Sequence, residues 1–213
     1  MAEPAPPGRA GRLWLQGRIA AARRGLELLD RKHQLLQREL EKLELAERET
    51  RDRWEAACEE AERWGLRAAV LGGQADLSFA ASTFAGSTGV EVTWRNNMGV
   101  RYPDTVECSF SEPSPAELAA GNAALRPALR AYRSALETAA THAAADEAYR
   151  CVVEELQATK RRVRAIERHR LPGLEENLRR LQLHLDELDR EERVVTRWAR
   201  DRRDSSEDDL SRQ

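Results

Sequence analysis

The sequence predicts a mainly α-helical chain: long N- and C-terminal arms paired as an antiparallel two-helix coiled coil, with a small β-hairpin-containing region in the middle. Three observations lead there. Charged residues make up 34% of the 213 positions and aromatic residues only 5%, a balance that favours long helices rich in Glu, Arg, Leu and Ala over a large compact core. Apolar residues recur at heptad spacing in both arms. Between the arms that period gives way to glycine, proline and two-residue alternation.

From Leu15, the positions Ile19, Ala22, Leu26, Leu29, His33, Leu36, Leu40 and Leu43 follow at alternating steps of four and three, the seam of a coiled coil. The stripe continues more weakly through Glu47, Thr50, Trp54, Ala57 and Ala61, with Gly65 and then Gly72-Gly73 as stop signals. A helix from Gly11 to Gly65 would be roughly 80 Å long at 1.5 Å per residue.

A second stripe runs through Tyr149, Val152, Leu156, Thr159, Val163 and Ile166, then resumes as Leu174, Leu178, Leu181, Leu185, Leu188 and Val195. Between the two parts the steps slip to successive fours through Arg170, an insertion that loosens left-handed supercoiling. Pro172 sits in that slip. Proline inside a helix loses a backbone hydrogen bond and clashes with the preceding turn, at about 3 kcal/mol, so one reading ends the helix at Leu171. The preferred reading is a kink, because the stripe restarts at once and no loop-forming cluster follows Gly173.

Laid antiparallel with partner numbers adding to about 212, the arms match in charge: Arg18, Arg23 and Arg24 face Asp186, Asp189, Glu191 and Glu192. Glu44, Glu47 and Glu49 then face Lys160, Arg161, Arg162 and Arg164, and Trp14 comes near Trp198. Such surface pairs contribute only ~0 to 1 kcal/mol each and set pairing direction more than stability.

The middle region holds Gly86, Gly89, Pro103, Pro113 and Pro115. Val90, Val92 and Trp94 alternate with Glu91 and Thr93 as a half-buried strand, and Val106, Cys108 and Phe110 supply its partner, with the connection somewhere between Arg95 and Pro103. Ser114-Pro115-Ala116-Glu117 has the N-cap serine, first-turn proline and glutamate of a helix start. Gly121 and Pro127 are candidate interruptions of that helix. The expected organisation is a Pro-rich flexible start over 1–10, a helix over 11–71, the hairpin region over 72–113, a helix over 114–203 kinked near Pro172, and a disordered polar tail over 204–213.

Thirty-five basic residues against thirty-seven acidic ones leave a net charge of −2, without the broad positive field that nonspecific nucleic-acid binding needs. Cys58, Cys108 and Cys151 form no CxxC or Cys/His cluster, which points to reduced thiols in the cytosol. No stretch reaches the ~18 to 20 apolar residues of a membrane span, and prolines at positions 4, 6 and 7 occupy the place of a signal peptide's apolar core. A cytoplasmic protein without membrane insertion is expected.

No Walker loop, GxSxG elbow or HExxH helix is present, so no catalytic residue, metal ligand or cofactor is predicted. His33, His142, His169 and His184 lie at least fifteen residues apart on helical stretches and read as solvated or seam positions. The basic run Thr159 to Arg164, followed by Arg168, His169 and Arg170, reads first as a helix face paired with the opposite arm's glutamates and second as a protein contact. Glycines 72, 73, 86 and 89 stand in no phosphate-cradling frame and read as turn residues.

Leu15, Arg18-Ile19, Ala22, Arg24-Gly25, Leu28-Leu29, Lys32 and Leu35-Leu36 resemble the N-terminal pattern of the D-subunit family of V-type and archaeal-type rotary ATPases. Asn97-Met98-Gly99-Val100 followed by Pro103 resembles that family's Asn-x-Met-Gly-Val-x-x-Pro signature. Thr159-Lys160-Arg161-Arg162-Val163 with Ala165 and Glu167, then Leu171-Pro172-Gly173-Leu174-Glu175-Glu176, are similar to its two C-terminal runs. The resemblance covers roughly residues 13 to 200. It departs at Arg164, where the family has asparagine, and at Gly173, where it has a basic residue.

The resemblance implies a non-catalytic central-stalk component, a rotor shaft of a proton- or sodium-translocating ATPase or ATP synthase, with Pro172 inside a continuous helix. It implies terminal arms within the A/B catalytic hexamer, a small F subunit held by the hairpin region and lower coiled coil, and a socket subunit at the membrane ring. Partner contacts are expected at Arg12, Arg18, Arg23 and Arg200 on the arms and at Met98, Gly99, Val100 and Pro103 on the hairpin. No small-molecule ligand and no nucleic acid is expected. The alternative from another class is a prefoldin-like coiled-coil chaperone or scaffold, which also joins two helical arms through β-hairpins; a DNA-binding coiled coil ranks third.

Overall fold

The structure, a computed structural model, describes residues 6–83, 88–111 and 122–210. Helix α1 (Gly8–Thr83) is followed by strands β1 (Thr88–Asn97) and β2 (Val100–Phe110), helix α2 (Leu125–Ala165), one π-helical turn (Ile166–Arg170) and helix α3 (Leu171–Leu210). This is the expected class: long helix, antiparallel two-stranded hairpin, long helix. The helix start at Ser114 to Glu117 and the residues Gly86, Pro113, Pro115 and Gly121 lie outside the described residues. The chain divides into two compact units, Met1–Arg31 with Thr159–Gln213 and Lys32–Ala158.

In the Lys32–Ala158 unit, α1 and α2 run antiparallel. Lys32 Nζ meets Glu155 Oε1 at 2.7 Å, Trp54 stacks on His142 with ring centroids 5.3 Å apart, and Asn122 Nδ2 donates to the Ala68 carbonyl at 3.1 Å. The main core joins Leu36 to Ala148, Val152 and Leu156, with the strand residues Val100 and Tyr102 packed in. Leu40, Leu43 and Cys151 flank it. A second cluster gathers Ala68, Ala124 and Ala128 under Trp64, Leu77 and Leu125.

The heptad stripe has the phase expected of it. Every seam position of α1 from Leu15 to Ala61 is buried or half-buried, including the polar His33, Glu47 and Thr50. Thr50 directs its hydroxyl at the Ala46 and Glu47 carbonyls, 2.8 and 2.9 Å away. A hydroxyl has one proton, so the approach of His142 Nδ1 to the same oxygen at 3.4 Å puts the donor on the imidazole.

Gly65 and Gly72 do not end the helix. A Cβ on Gly65 would lie 2.7 Å from Tyr132 Oη, and one on Gly72 would collide with the Asn122 amide. These glycines let α2 come close to α1. The break comes at Gly73, whose φ of 71° and ψ of 177° only glycine adopts readily, and helix resumes beyond it to Thr83. Asn122 turns the chain just ahead of α2, its Oδ1 accepting the Ala124 N–H at 3.0 Å. Pro127 falls in the first turn of α2, where a proline interrupts nothing.

In the other unit α1 and α3 are again antiparallel: Arg9 pairs with Asp189 at 3.6 Å and Arg23 with Glu175 at 2.9 Å. The numbers in both pairs add to 198, about two heptads short of the expected 212. The expected pairing of Arg18, Arg23 and Arg24 with Asp186 to Glu192 is therefore corrected. Sliding one stripe along another by whole heptads keeps apolar positions in contact, and exposed ion pairs are too weak to forbid the slide. Trp14 and Trp198 are not partners either; each carries an arginine over its own ring, Arg18 and Arg202, at 5.2 Å.

The C-terminal stripe is buried or half-buried from Tyr149 to Leu185, but Leu188 and Val195 are exposed. The cause is the register. With Arg9 opposite Asp189 and α1 beginning at Gly8, the described part of α1 has no further turn to set against α3, and Arg190 to Arg200 are all exposed.

Helix continues through Pro172 by way of the π turn. The Leu171 N–H bonds the Ile166 carbonyl, five residues back instead of four, which opens the turn against which the proline ring would clash. The wider turn also absorbs the slip in the stripe. Ile166 and Leu174 are eight residues apart, which on an α-helix would leave them about 80° out of line; the extra residue of a π turn returns both to the half-buried side.

Thr159 is fully buried, and its hydroxyl has no hydrogen-bond partner. Thr159→Val keeps the shape and removes the unsatisfied oxygen. It is expected to raise stability by about 1 kcal/mol, read as a higher denaturant midpoint at unchanged m-value; a loss would show that the hydroxyl is in fact satisfied.

Candidate partner interface

The hairpin is a short sheet seated on two helices at one end. Its register runs from Thr88 opposite Phe110 to Asn97 opposite Val100, with an irregularity between Thr93 and Trp94 that leaves Asp104 as the extra residue. The turn consists of Met98 and Gly99 alone, with φ of 53° and 81°. Positive φ at both positions is the two-residue turn whose twist suits a hairpin. Glycine takes its place freely, whereas Met98 is held in a region that methionine seldom visits.

Val100 and Tyr102, next to the turn, are buried in the main core, and Tyr102 Oη donates to Glu39 Oε1 at 2.9 Å. Burial pushes the Glu39 carboxyl up, but hydrogen bonds from Tyr102 and Lys42 and the nearby positive charges outweigh it, and the group sits below its ordinary range. Burial, then the bond to Glu39, raises the Tyr102 phenol.

Away from the seat, β1 is open. Val90, Val92 and Trp94 alternate along one face, as the sequence indicates, yet they are exposed at 53%, 39% and 52% where a half-buried strand is expected. A two-stranded sheet has no second layer to cover that face. Their cross-strand neighbours Val106 and Cys108 are half-buried, and Arg101 lies over the Trp94 ring at 4.9 Å. Arg133 from α2 covers Phe110 and donates to the Ser111 carbonyl.

The predicted contact residues fall into three groups. Met98 and Gly99 are exposed at the hairpin tip, while Val100 and Pro103 are buried and hold the hairpin in place. On the arms, Arg12 and Arg200 are exposed, Arg18 is stacked on Trp14, and Arg23 is engaged by Glu175. The glutamates expected to face the basic run are taken elsewhere: Glu44, Glu47 and Glu49 pair with Arg48, Arg51 and Arg53 one turn on in α1. Sequence reasoning missed the seat formed by Glu39 and Tyr102; the only sign of it was Tyr102 two residues from Val100 in a strand otherwise flanked by polar residues. Among the described residues no cluster of His, Cys, Asp or Glu could hold a metal ion, and no helix is long and apolar enough to cross a membrane.

Within the Lys32–Ala158 unit the hairpin is thus seated on α1 and α2 by Val100 and Tyr102, with Val90, Val92, Trp94 and Met98 left exposed. Residues 13–201 match the family model described as the ATP synthase D subunit. The V-type ATP synthase D subunit of Thermotoga neapolitana is 30% identical over 186 residues, covering 87% of this chain and 92% of that protein. The A-type ATP synthase D subunit of Methanopyrus kandleri is 32% identical over 201 residues, covering 92% and 85%, and a V-type ATP synthase D subunit from Anaeromyxobacter is 31% identical over 206 residues, covering 93% and 94%. The chain belongs to the ATP synthase D-subunit family.

Proposed function

We propose that this chain is the central-stalk rotor component of a V/A-type proton- or sodium-translocating ATPase or ATP synthase. In this reading it carries rotation between the A/B catalytic hexamer and the membrane ring, and ATP is made or hydrolysed in the hexamer. The observation that supports it most is the family match, which runs from residue 13 to residue 201 and so takes in both arms and the hairpin. Two stiff helices with interlocked side chains resist twisting better than a single helix or a flexible linker, the mechanical property that a shaft needs.

The terminal arms, with Arg12, Arg18, Arg23 and Arg200, would turn inside the hexamer as a peripheral part of its soluble sector. The hairpin, with Met98 and Gly99 at its tip and Val90, Val92 and Trp94 on its open face, would hold the small F subunit. The far end would enter a socket subunit of the ring. Affinity purification of the tagged chain from its own cells tests the reading. An A/B hexamer and a small F-like subunit should be recovered together; a preparation that instead holds unfolded client proteins would favour a chaperone.

A further inference from the structure

Charge matching along the helices is uneven. On α1 it is settled turn by turn, Glu44 with Arg48, Glu47 with Arg51, Glu49 with Arg53 and Glu60 with Arg63. On α3, Glu176 holds both Arg179 and Arg180. The stretch around the π turn differs. It carries Lys160, Arg161, Arg162, Arg164, Arg168 and Arg170 against the lone acid Glu167, and all of these side chains are exposed.

Among the described residues, Lys160, Arg161, Arg164, Arg168 and Arg170 take part in no ion pair. Lys160, Arg164 and Arg168 also stand four residues apart in succession, so like charges lie one above another along the helix, an arrangement that works against the helix itself. A stripe of five such cations, Lys160, Arg161, Arg164, Arg168 and Arg170, exposed and without an ion pair among the described residues, is suited to a surface outside the chain.

We infer that this stripe is a docking surface for a carboxylate-rich face of a protein partner. Resting on the rotor reading above, that partner is the inner wall of the catalytic hexamer, and the contact lies in the middle of the C-terminal arm instead of at its tip. A phosphate backbone fits less well. Glu154 and Glu155 precede the stripe in sequence and Glu175 and Glu176 follow it, so a polyanion running along the helix would meet acid at both ends. A protein face can set its carboxylates opposite the stripe alone. Of the four arm arginines expected to make this contact, Arg12, Arg18, Arg23 and Arg200, two are already engaged, Arg23 by Glu175 and Arg18 by Trp14.

The test compares the full chain with a variant carrying Lys160→Gln, Arg161→Gln, Arg164→Gln, Arg168→Gln and Arg170→Gln. Binding to the reconstituted A/B hexamer is measured at about 0.1 M and 1 M salt, where charges are screened beyond about 10 Å and 3 Å. Glutamine keeps the helix propensity, so the circular-dichroism melt should be unchanged or higher. At low salt the variant should bind at least about tenfold more weakly than the parent, and the gap should close at high salt as direct charge attraction is screened. Parental affinity at low salt, or an equal loss at both salts, overturns the inference while leaving the rotor reading intact. Parent chain that binds duplex DNA in preference to the hexamer also overturns it. Parent chain that binds no hexamer at all removes the rotor reading and this inference with it.

Discussion

Tyr102→Ala should release the hairpin from the helices while leaving the helices paired. Tyr102 is 1% exposed, and no other aromatic residue of the hairpin is buried. Removing a buried aromatic ring costs about 3 to 5 kcal/mol through lost burial and the cavity left behind. A two-stranded sheet on its own is marginal in water, so a loss of that size exceeds what holds the hairpin down. Amides of β1 and β2 should then exchange with solvent at rates near those of an open chain, whereas amides of α1 and α2 around Thr50 and His142 should keep their protection. Hairpin protection unchanged in the alanine variant would mean that Tyr102 is not the anchor.

Tyr102→Phe separates the ring from the hydroxyl. It keeps the packing and deletes the bond to Glu39, for a loss of about 1 to 2 kcal/mol. The pH dependence of the seat follows from the two titrations. Glu39 has its folded value lowered from 4.5, so its contribution is present above that value and is lost as pH falls through the lower folded value. Tyr102 has its folded value raised from 10.0, so its contribution is full below 10.0 and is lost as pH rises through the higher folded value. The seat should therefore be firmest across the neutral range and weaken at both extremes. The phenylalanine variant should lose the alkaline limb altogether and keep a weakened acid one, since Lys42 and Arg95 still favour the Glu39 carboxylate.

The phase of the seams could be read from sequence because burial selects one side of a helix and leaves a mark every three or four residues. Leu15, Ile19, Leu36 and Ala61 are buried as that mark requires, as are Val152, Leu156 and Thr159. The register between arms could not be read, because two repeating stripes fit equally well after a slide of whole heptads. The charges that would break the tie have partners on their own helix, as Glu44, Glu47 and Glu49 show. Glycine misled for a different reason. Gly65 and Gly72 look like stop signals in one dimension, but their work is to make room for Tyr132 and Asn122, which are far away in sequence. The restarting stripe places Pro172 within a continuing helix, yet only the geometry shows the cause, a π turn that accommodates both the proline and the extra residue. At the candidate interface, the hairpin and its position were legible, whereas Met98-Gly99 lacks the Asn-Gly signature of its turn type. Buried Val100 and Pro103 cannot be told by composition from exposed Met98 and Gly99.

The seam can be tested where composition is least informative, at the adjacent leucines 35 and 36. Their hydrophobicity and helix propensity are the same, so only their direction separates them. Leu36 is 1% exposed within the main core, and Leu35 is 42% exposed. Leu36→Ala should lower the unfolding free energy by about 2 to 5 kcal/mol, since it empties a space closed by Ala148, Val152 and Leu156. Leu35→Ala should change it by no more than about 0.5 kcal/mol, because little burial is lost and alanine is the better helix former. Equal effects in urea titrations of the two variants would mean that the stripe is misplaced and that the paired arms are not packed as described. If the rotor reading holds, the pair separates a second time in the assembled complex. Leu35, with the outward Leu45, would then contribute only where another protein of the complex covers it. Leu35→Ala should therefore weaken assembly without weakening the chain, whereas Leu36→Ala should weaken the chain first and assembly only as a consequence.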